Sequence, residues 1–113
     1  MISYFKVRGH SMEPLCKEGD FVLLDKLFYV MIRPKAGDTV VLKHPQQEKL
    51  LLKYVLREKT DGARYFYWVE GLNKMDSLDS RNFGWVPRNM ILGRAIVAKK
   101  QEHTHPALAR QIK

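Results

Sequence analysis

Apolar residues in this chain come in short alternating runs, closed off by glycine, proline and acidic turns, with no sustained helical period. The alternation predicts strands over Ile2–Val7, Phe21–Asp25, Thr39–Lys43, Lys49–Glu58, Arg64–Glu70 and Ile91–Lys99. Thr60-Asp61-Gly62 carries the Asp-Gly signal of a hairpin turn between the fourth and fifth strands. Met12–Cys16 reads as a brief helical turn, and Pro87 as the opening of another that runs to Met90. Met75–Gly84 is polar and irregular, so its backbone must be satisfied by Ser77, Asp79, Ser80 and Arg81. The apolar run Leu27–Ile32, between Lys26 and Arg33, reads as a buried strand or hairpin edge. Its alternative is a patch for a membrane surface. Residues 1–100 form one domain in this reading, and residues 101–113 a C-terminal tail. Closely spaced strands without long helices make the fold mainly β.

Two positions break the pattern. Ser11 sits on the turn Gly9-His10-Ser11-Met12-Glu13-Pro14, between apolar stretches. Lys53 lies inside Leu50-Leu51-Leu52-Lys53-Tyr54-Val55-Leu56. Alternation sends Leu51, Lys53 and Val55 to one face and Leu52, Tyr54 and Leu56 to the other, and neither face is polar. A buried ammonium costs free energy unless it pairs or gives up its proton. A neutral Lys53 is a base able to activate a serine hydroxyl, which by itself is a poor nucleophile at neutral pH. The pair suggests a serine hydrolase built on a Ser/Lys dyad.

A third segment, Gly71-Leu72-Asn73-Lys74-Met75-Asp76-Ser77-Leu78-Asp79-Ser80-Arg81-Asn82-Phe83-Gly84, resembles the late motif of the signal peptidase I family. The other boxes follow in family order. Ser11-Met12-Glu13-Pro14 looks like the nucleophile box, Ala36-Gly37-Asp38-Thr39-Val40-Val41 like the Arg-Gly-Asp-Val-Val box, and Leu52-Lys53-Tyr54-Val55 like the box of the general base. Gly93-Arg94-Ala95 matches the closing box. Five boxes in order are specific where one would be weak. The resemblance implies the compact, coiled β-fold shared by signal peptidases and self-cleaving repressors, with Ser11 as nucleophile and Lys53 as base. It further implies that Ser77 orients the lysine and that Asp79 and Arg81 form a supporting ion pair. It puts Val7, Met12, Cys16, Leu51 and Leu52 around pockets for an extended substrate strand lying between Phe5–Gly9 and Leu50–Lys53, with small side chains favoured just before the scissile bond. The Ser11 N–H would donate to the oxyanion; Gly9 stands where many bacterial members place a second, serine donor. Leu72 and Tyr54 also depart from the family pattern, replacing an aspartate and an arginine.

Composition narrows the remaining choices. The 113 residues suffice for a single core. No stretch approaches the ~18–20 continuous apolar residues needed to cross a bilayer, and no secretory signal is visible. The one cysteine, Cys16, excludes an internal disulfide and reads as a small apolar residue near the turn, compatible with the cytoplasm. A net charge of +8 is spread along the chain without any nucleic-acid-recognition pattern, leaving peripheral contact with a membrane as its sharper meaning. His103 and His105 are too few for a metal site, and no cofactor is expected. The expected activity is a serine endopeptidase removing an N-terminal leader from a protein. Short, anchorless members of the superfamily resemble the maturation proteases of nickel-type superoxide dismutase. The alternatives are a general signal peptidase acting at a membrane, a fragment of a self-cleaving regulator, and a non-catalytic binding domain. Oligomeric state is left open by the sequence.

Overall fold

Alternating apolar residues on strands too short to stand alone must share a sheet, and here they share one. The computed structural model describes residues 2–98 and 110–113. Its strands are β1 (Ile2–Val7), β2 (Phe21–Asp25), β3 (Thr39–Lys43), β4 (Leu50–Asp61), β5 (Arg64–Glu70), β6 (Val86–Pro87), β7 (Ile91–Ala98) and β8 (Arg110–Ile112). They join in the order β6-β5-β4-β3-β7-β2-β1-β8. Every pairing is antiparallel except β1 with β8, which is parallel.

β4 organises the sheet because it changes partner along its length. Leu50–Tyr54 pair with β3, with Lys53 opposite Val40, whereas Tyr54–Asp61 pair with β5. A register shift between Val55 and Arg57 skips Leu56, and a bulge of this kind bends the strand and increases its twist. The edge of Leu50–Lys53 turned away from β3 is therefore not used by β5.

The two faces of the strands bury two clusters. Phe5, Val7, Met12, Cys16, Val22, Leu24, Val41 and Leu52 form the first; Tyr29, Val40, Leu42, Leu51, Val55, Tyr67 and Val69 lead the second. Leu51 and Val55 against Leu52 reproduce the split that alternation requires. Gly93 lets β7 cross β2 closely, since a Cβ there would fall on the Asp25 carbonyl. Arg94 beside it pairs with Asp25 at 3.2 Å and lies 3.7 Å over the Phe28 ring, so the Gly-Arg-Ala segment fastens the sheet.

Three local expectations need correction. Leu27–Ile32 is not a buried strand or hairpin edge. Phe28–Met31 form a four-residue helix, α1, because Asp25 accepts from the Leu27 and Phe28 N–H groups at 3.1 and 3.2 Å and starts a turn. Only Tyr29 of this helix is buried; Leu27, Val30 and Met31 are exposed. Within Met75–Gly84, Ser80–Phe83 form a second short helix, α2, where an irregular segment was expected. The end of the chain also departs from a plain tail: residues 101–109 lie outside the described residues, and Arg110–Ile112 add a strand to β1. The turn at Met12–Cys16 is present as a single hydrogen-bonded turn, with Cys16 N–H donating to the Met12 carbonyl at 3.1 Å. Arg88–Met90 form a 3-10 turn after Pro87, as its position predicts.

Candidate active site

Ser11 is carried by the turn after β1, where Gly9 adopts a φ of 81° that a side chain would strain. The Gly9 N–H donates to Glu18 at 3.1 Å, and the Glu13 N–H to the His10 carbonyl at 3.2 Å, so both sides of Ser11 are fixed. His10 pairs with Glu13, and this exposed contact raises its pKa; it lines the cavity at Ser11 but makes no hydrogen bond to the serine. Among the described residues the Ser11 N–H forms no hydrogen bond within the chain, leaving it free to receive a developing negative charge.

Lys53 reaches Ser11 from β4. Its Nζ lies 3.0 Å from Ser11 Oγ, within hydrogen-bond distance, and the residue is 1% exposed. Burial pushes its pKa down from the ordinary lysine value to about 8; the more distant carboxylates of Asp79 and Asp76 oppose that fall without cancelling it, and Lys49 adds to it. Among the described residues no Asp or Glu side chain is in salt-bridge contact with this ammonium, and the main-chain oxygen of Lys113 lies 3.5 Å from it. A lysine so placed shares its proton readily with a neighbouring hydroxyl.

The third element is the loop from Gly71 to Gly84, pinned directly to the serine turn. The Asn73 N–H donates to the Ser11 carbonyl at 2.8 Å. Gly71 makes that approach possible: a Cβ there would collide with the Ser77 side chain and sit 2.7 Å from the Ser11 carbonyl oxygen. The anchor of the loop is Asp79, fully buried, whose Oδ2 accepts from Ser77 Oγ at 2.7 Å, from the Gly71 N–H at 2.9 Å and from Arg81 at 3.0 Å. Its Oδ1 accepts from the Arg81 N–H and Nε, both at 3.0 Å. Burial alone would raise the Asp79 pKa, but these donors outweigh it and hold the carboxyl at about 2. Asn82 Oδ1 accepts from the Asp79 N–H in return, closing a capping box that starts α2.

Ser77 thus spends its hydroxyl proton on Asp79, and the structure contains no hydrogen bond between Ser77 and Lys53. The hydroxyl of Ser77 is tied to the carboxylate that anchors the loop. Asp79 and Arg81 do pair, at 3.0 Å. The departure at Tyr54 has a local explanation as well. Its hydroxyl accepts from Lys74 Nζ at 2.6 Å, and Lys74 also binds Glu70 at 2.8 Å, so a cation from the loop now stands beside that strand position. Leu72 is partly exposed and contributes no charge there.

The residues expected around the substrate divide between two faces. Val7, Met12, Cys16 and Leu52 pack in one buried apolar cluster. Leu51 packs in the opposite cluster and instead walls a cavity of about 180 Å³ that also touches Gly9, Ser11, Lys53 and Leu78. Ile112, which sequence reasoning did not connect with the site, packs into the same cluster as Val7, Met12, Cys16 and Leu52, so the space beside these four side chains is filled by the chain itself. Its only advance signal was an isoleucine near the end of a polar tail.

The sequence pattern of the signal peptidase family, peptidase S26, matches residues 1–57 and 59–98. The chain is 33% identical over 114 aligned positions to mitochondrial inner membrane protease subunit 1 of Schizosaccharomyces pombe, covering 86% of this chain and 72% of that protein. It is 29% identical over 117 positions to the mitochondrial ATP-independent inner membrane protease subunit 1a of Arabidopsis thaliana, covering 86% and 70%. Against signal peptidase I of Aquifex aeolicus it is 29% identical over 72 positions, covering 63% of this chain but only 28% of that protein.

Proposed function

Because the chain belongs to the signal peptidase family, peptidase S26, we propose that it is an endopeptidase that cuts an N-terminal leader from a protein substrate through a Ser11–Lys53 dyad. The observation that carries this reading is a nearly inaccessible lysine 3.0 Å from a serine on a fixed turn. Neutral Lys53 takes the proton of Ser11 Oγ as that oxygen attacks the scissile carbonyl. The Ser11 N–H donates to the oxyanion. The resulting ammonium returns the proton to the leaving amine, and water then releases the acyl group with Lys53 again acting as base. Asp79, Arg81 and Ser77 hold the loop that fixes Ser11 from behind. The test is cleavage of a leader-bearing precursor followed by N-terminal sequencing of the product. Ser11→Ala and Lys53→Met should each leave the precursor intact while preserving the circular dichroism spectrum. Undiminished cleavage by either variant would refute the dyad.

The substrate is an extended strand in this reading, with Val7, Met12, Cys16 and Leu52 receiving alternate side chains. Maturation of a nickel-type superoxide dismutase precursor is the particular task implied by the short family members. Release of the mature N-terminus from such a precursor by wild type, and not by Ser11→Ala, would establish it.

Peripheral contact with a membrane is supported by α1 and its flanks. Val30 and Met31 are 68% and 88% exposed, Leu27 is 65% exposed, and Lys26 and Arg33 stand at either end. Apolar residues beside cations suit the interface of an anionic bilayer. No helix among the described residues is long and apolar enough to cross a membrane. Sedimentation with phosphatidylglycerol vesicles should fall when Val30 and Met31 are both changed to serine.

A further inference from the structure

The groove that the proposed function assigns to substrate is already occupied by the chain itself. One edge of β1 pairs with β2; the other receives β8, with Phe5 opposite Arg110, Lys6 opposite Gln111 and Val7 opposite Ile112. Across the groove lies the edge of Leu50–Lys53 that β5 leaves unused. The last residues bridge both edges. Arg8 N–H donates to the Ile112 carbonyl at 2.7 Å, and Leu52 N–H donates to the Lys113 carbonyl. That same Lys113 oxygen lies 3.5 Å from Lys53 Nζ. Between these bonds the Ile112 side chain is 1% exposed, among Phe5, Val7, Met12, Cys16 and Leu52. Lys113 lines the cavity at Ser11 and Lys53.

We propose that Arg110–Lys113 is a tethered competitor of the substrate: it adds to β1 as a strand, fills the apolar pocket with Ile112, sets a carbonyl beside the base, and must leave before a substrate strand can reach Ser11. Three kinds of contact define the groove, and the segment makes all of them: strand-edge hydrogen bonds from both walls, an apolar side chain in the pocket, and a backbone carbonyl at the dyad. Among the described residues no other strand meets both walls in this way. A strand of three residues has little ladder of its own, so segments of this kind open at low free-energy cost. Tethering offsets that weakness by giving the segment a high effective concentration at the groove. The result is a plug that a good substrate displaces and a poor one does not.

The proposal rests on reading the groove as the substrate site, and its test separates the two. In the full-length chain, Ile112→Asp places a charge in the pocket and should expel the segment. KM for a leader peptide should then fall about tenfold with kcat unchanged, because a competing occupant lowers only the fraction of enzyme able to bind. Hydrogen exchange supplies a readout that needs no catalysis. The Arg8 and Leu52 amides should be protected in wild type, exposed in Ile112→Asp, and protected again when the free acetylated peptide Arg-Gln-Ile-Lys is added. Ile112→Ala, which keeps the pocket apolar, should shift both readouts the same way by a smaller amount, and it serves if the aspartate variant does not fold. Equal KM and equal exchange at Arg8 and Leu52 in wild type and variants would overturn the proposal. Exchange that responds as expected in a chain that cleaves nothing would uphold the tethered segment and count against the protease reading alone.

Discussion

The two halves of β4 contain the same kinds of residue and treat them oppositely. From Leu50 to Val55 the strand is buried or nearly so; from Leu56 to Asp61 every residue is exposed. Each half carries a lysine. Lys53 is 1% exposed, has no Asp or Glu at ion-pair distance among the described residues, and is held near pKa 8 by burial. Lys59 stands in solvent with its ammonium 4.5 Å over the Trp85 ring, and Arg57 lies 5.9 Å from both the Trp68 and Trp85 rings. The strand exchanges β3 for β5 at Tyr54, and exposure begins two residues on at Leu56, where the register slips. A lysine's chemistry in this protein is thus set by which partner its strand has at that point, since the paired, covered half excludes water and the hairpin half does not. The proposed base lies in the half that can least easily solvate a charge.

The strongest way to break that contrast is to remove the buried amine. Lys53→Met should lower kcat/KM by about a thousandfold or more, as expected for loss of a general base. The same change should stabilise the fold at neutral pH. The drop in pKa to about 8 corresponds to roughly 3 kcal/mol of unfavourable burial of the charged form, an upper bound for the gain. Its sign follows from proton counts. Between about pH 8 and the ordinary lysine value the unfolded chain binds more protons than the folded one, so wild-type stability rises across that window and the advantage of methionine disappears above it. Denaturant melts of both proteins at pH 7 and at pH 11 would measure this.

The pH–rate profile sharpens the contrast without any mutation. Only neutral Lys53 accepts the serine proton, so kcat/KM should climb about tenfold per pH unit and level off above about pH 8. Between pH 6 and pH 8 the rise is on the order of a hundredfold. A profile that declines steadily over that range contradicts the assigned base.

Gly71→Ala acts through position instead of charge. Its Cβ must displace Ser77 and press on the Ser11 carbonyl, and overpacking of this kind costs about 1–3 kcal/mol. Because the strain falls on the nucleophile's turn, kcat should drop by about tenfold to a hundredfold with little change in KM. A parallel loss in KM alone would show that the loop serves the groove and not the serine. The smallest effect belongs to the solvated half of β4. Lys59→Met should alter stability by no more than about 1 kcal/mol, the usual worth of an exposed cation–π contact, and leave kcat/KM unchanged.

Much of the site was legible because burial and alternation act locally. Leucines on both sides of Lys53 foretold its exclusion from water, and the residues around Ser11 foretold a serine on a turn, which the structure leaves half-buried. The order of the boxes carried the fold. What stayed hidden depended on partners distant in sequence. Ser77 could be matched to a role by resemblance, but its choice of Asp79 over Lys53 is a competition among acceptors that only the folded loop decides. The start of α2 was readable in principle from Asp79 and Asn82, a capping pair three residues apart, yet Ser, Asp and Arg at this density also describe a loop. The Leu27–Ile32 run misled because apolar composition indicates burial on average, whereas here a turn begun by Asp25 lifts most of it into solvent. Nothing local marks Arg110–Lys113 as a strand; its structure comes from two walls contributed by residues 5–8 and 52.

The partner exchange at Tyr54 has one more consequence, for colloidal behaviour. A strand edge with unpaired amides and carbonyls recruits other chains, and proteins that keep such edges open risk joining edge to edge. A peptide-binding groove needs open edges in order to work. At one end of this sheet the hazard is blunted by a two-residue strand that ends in Pro87, which has no amide hydrogen to offer. At the other end β8 caps β1, while the main-chain oxygen of Lys113, just after it, takes the Leu52 amide. Concentrated protein should therefore stay dispersed while Ile112 is seated, and should turn self-adhesive along the Phe5–Arg8 edge once it is not.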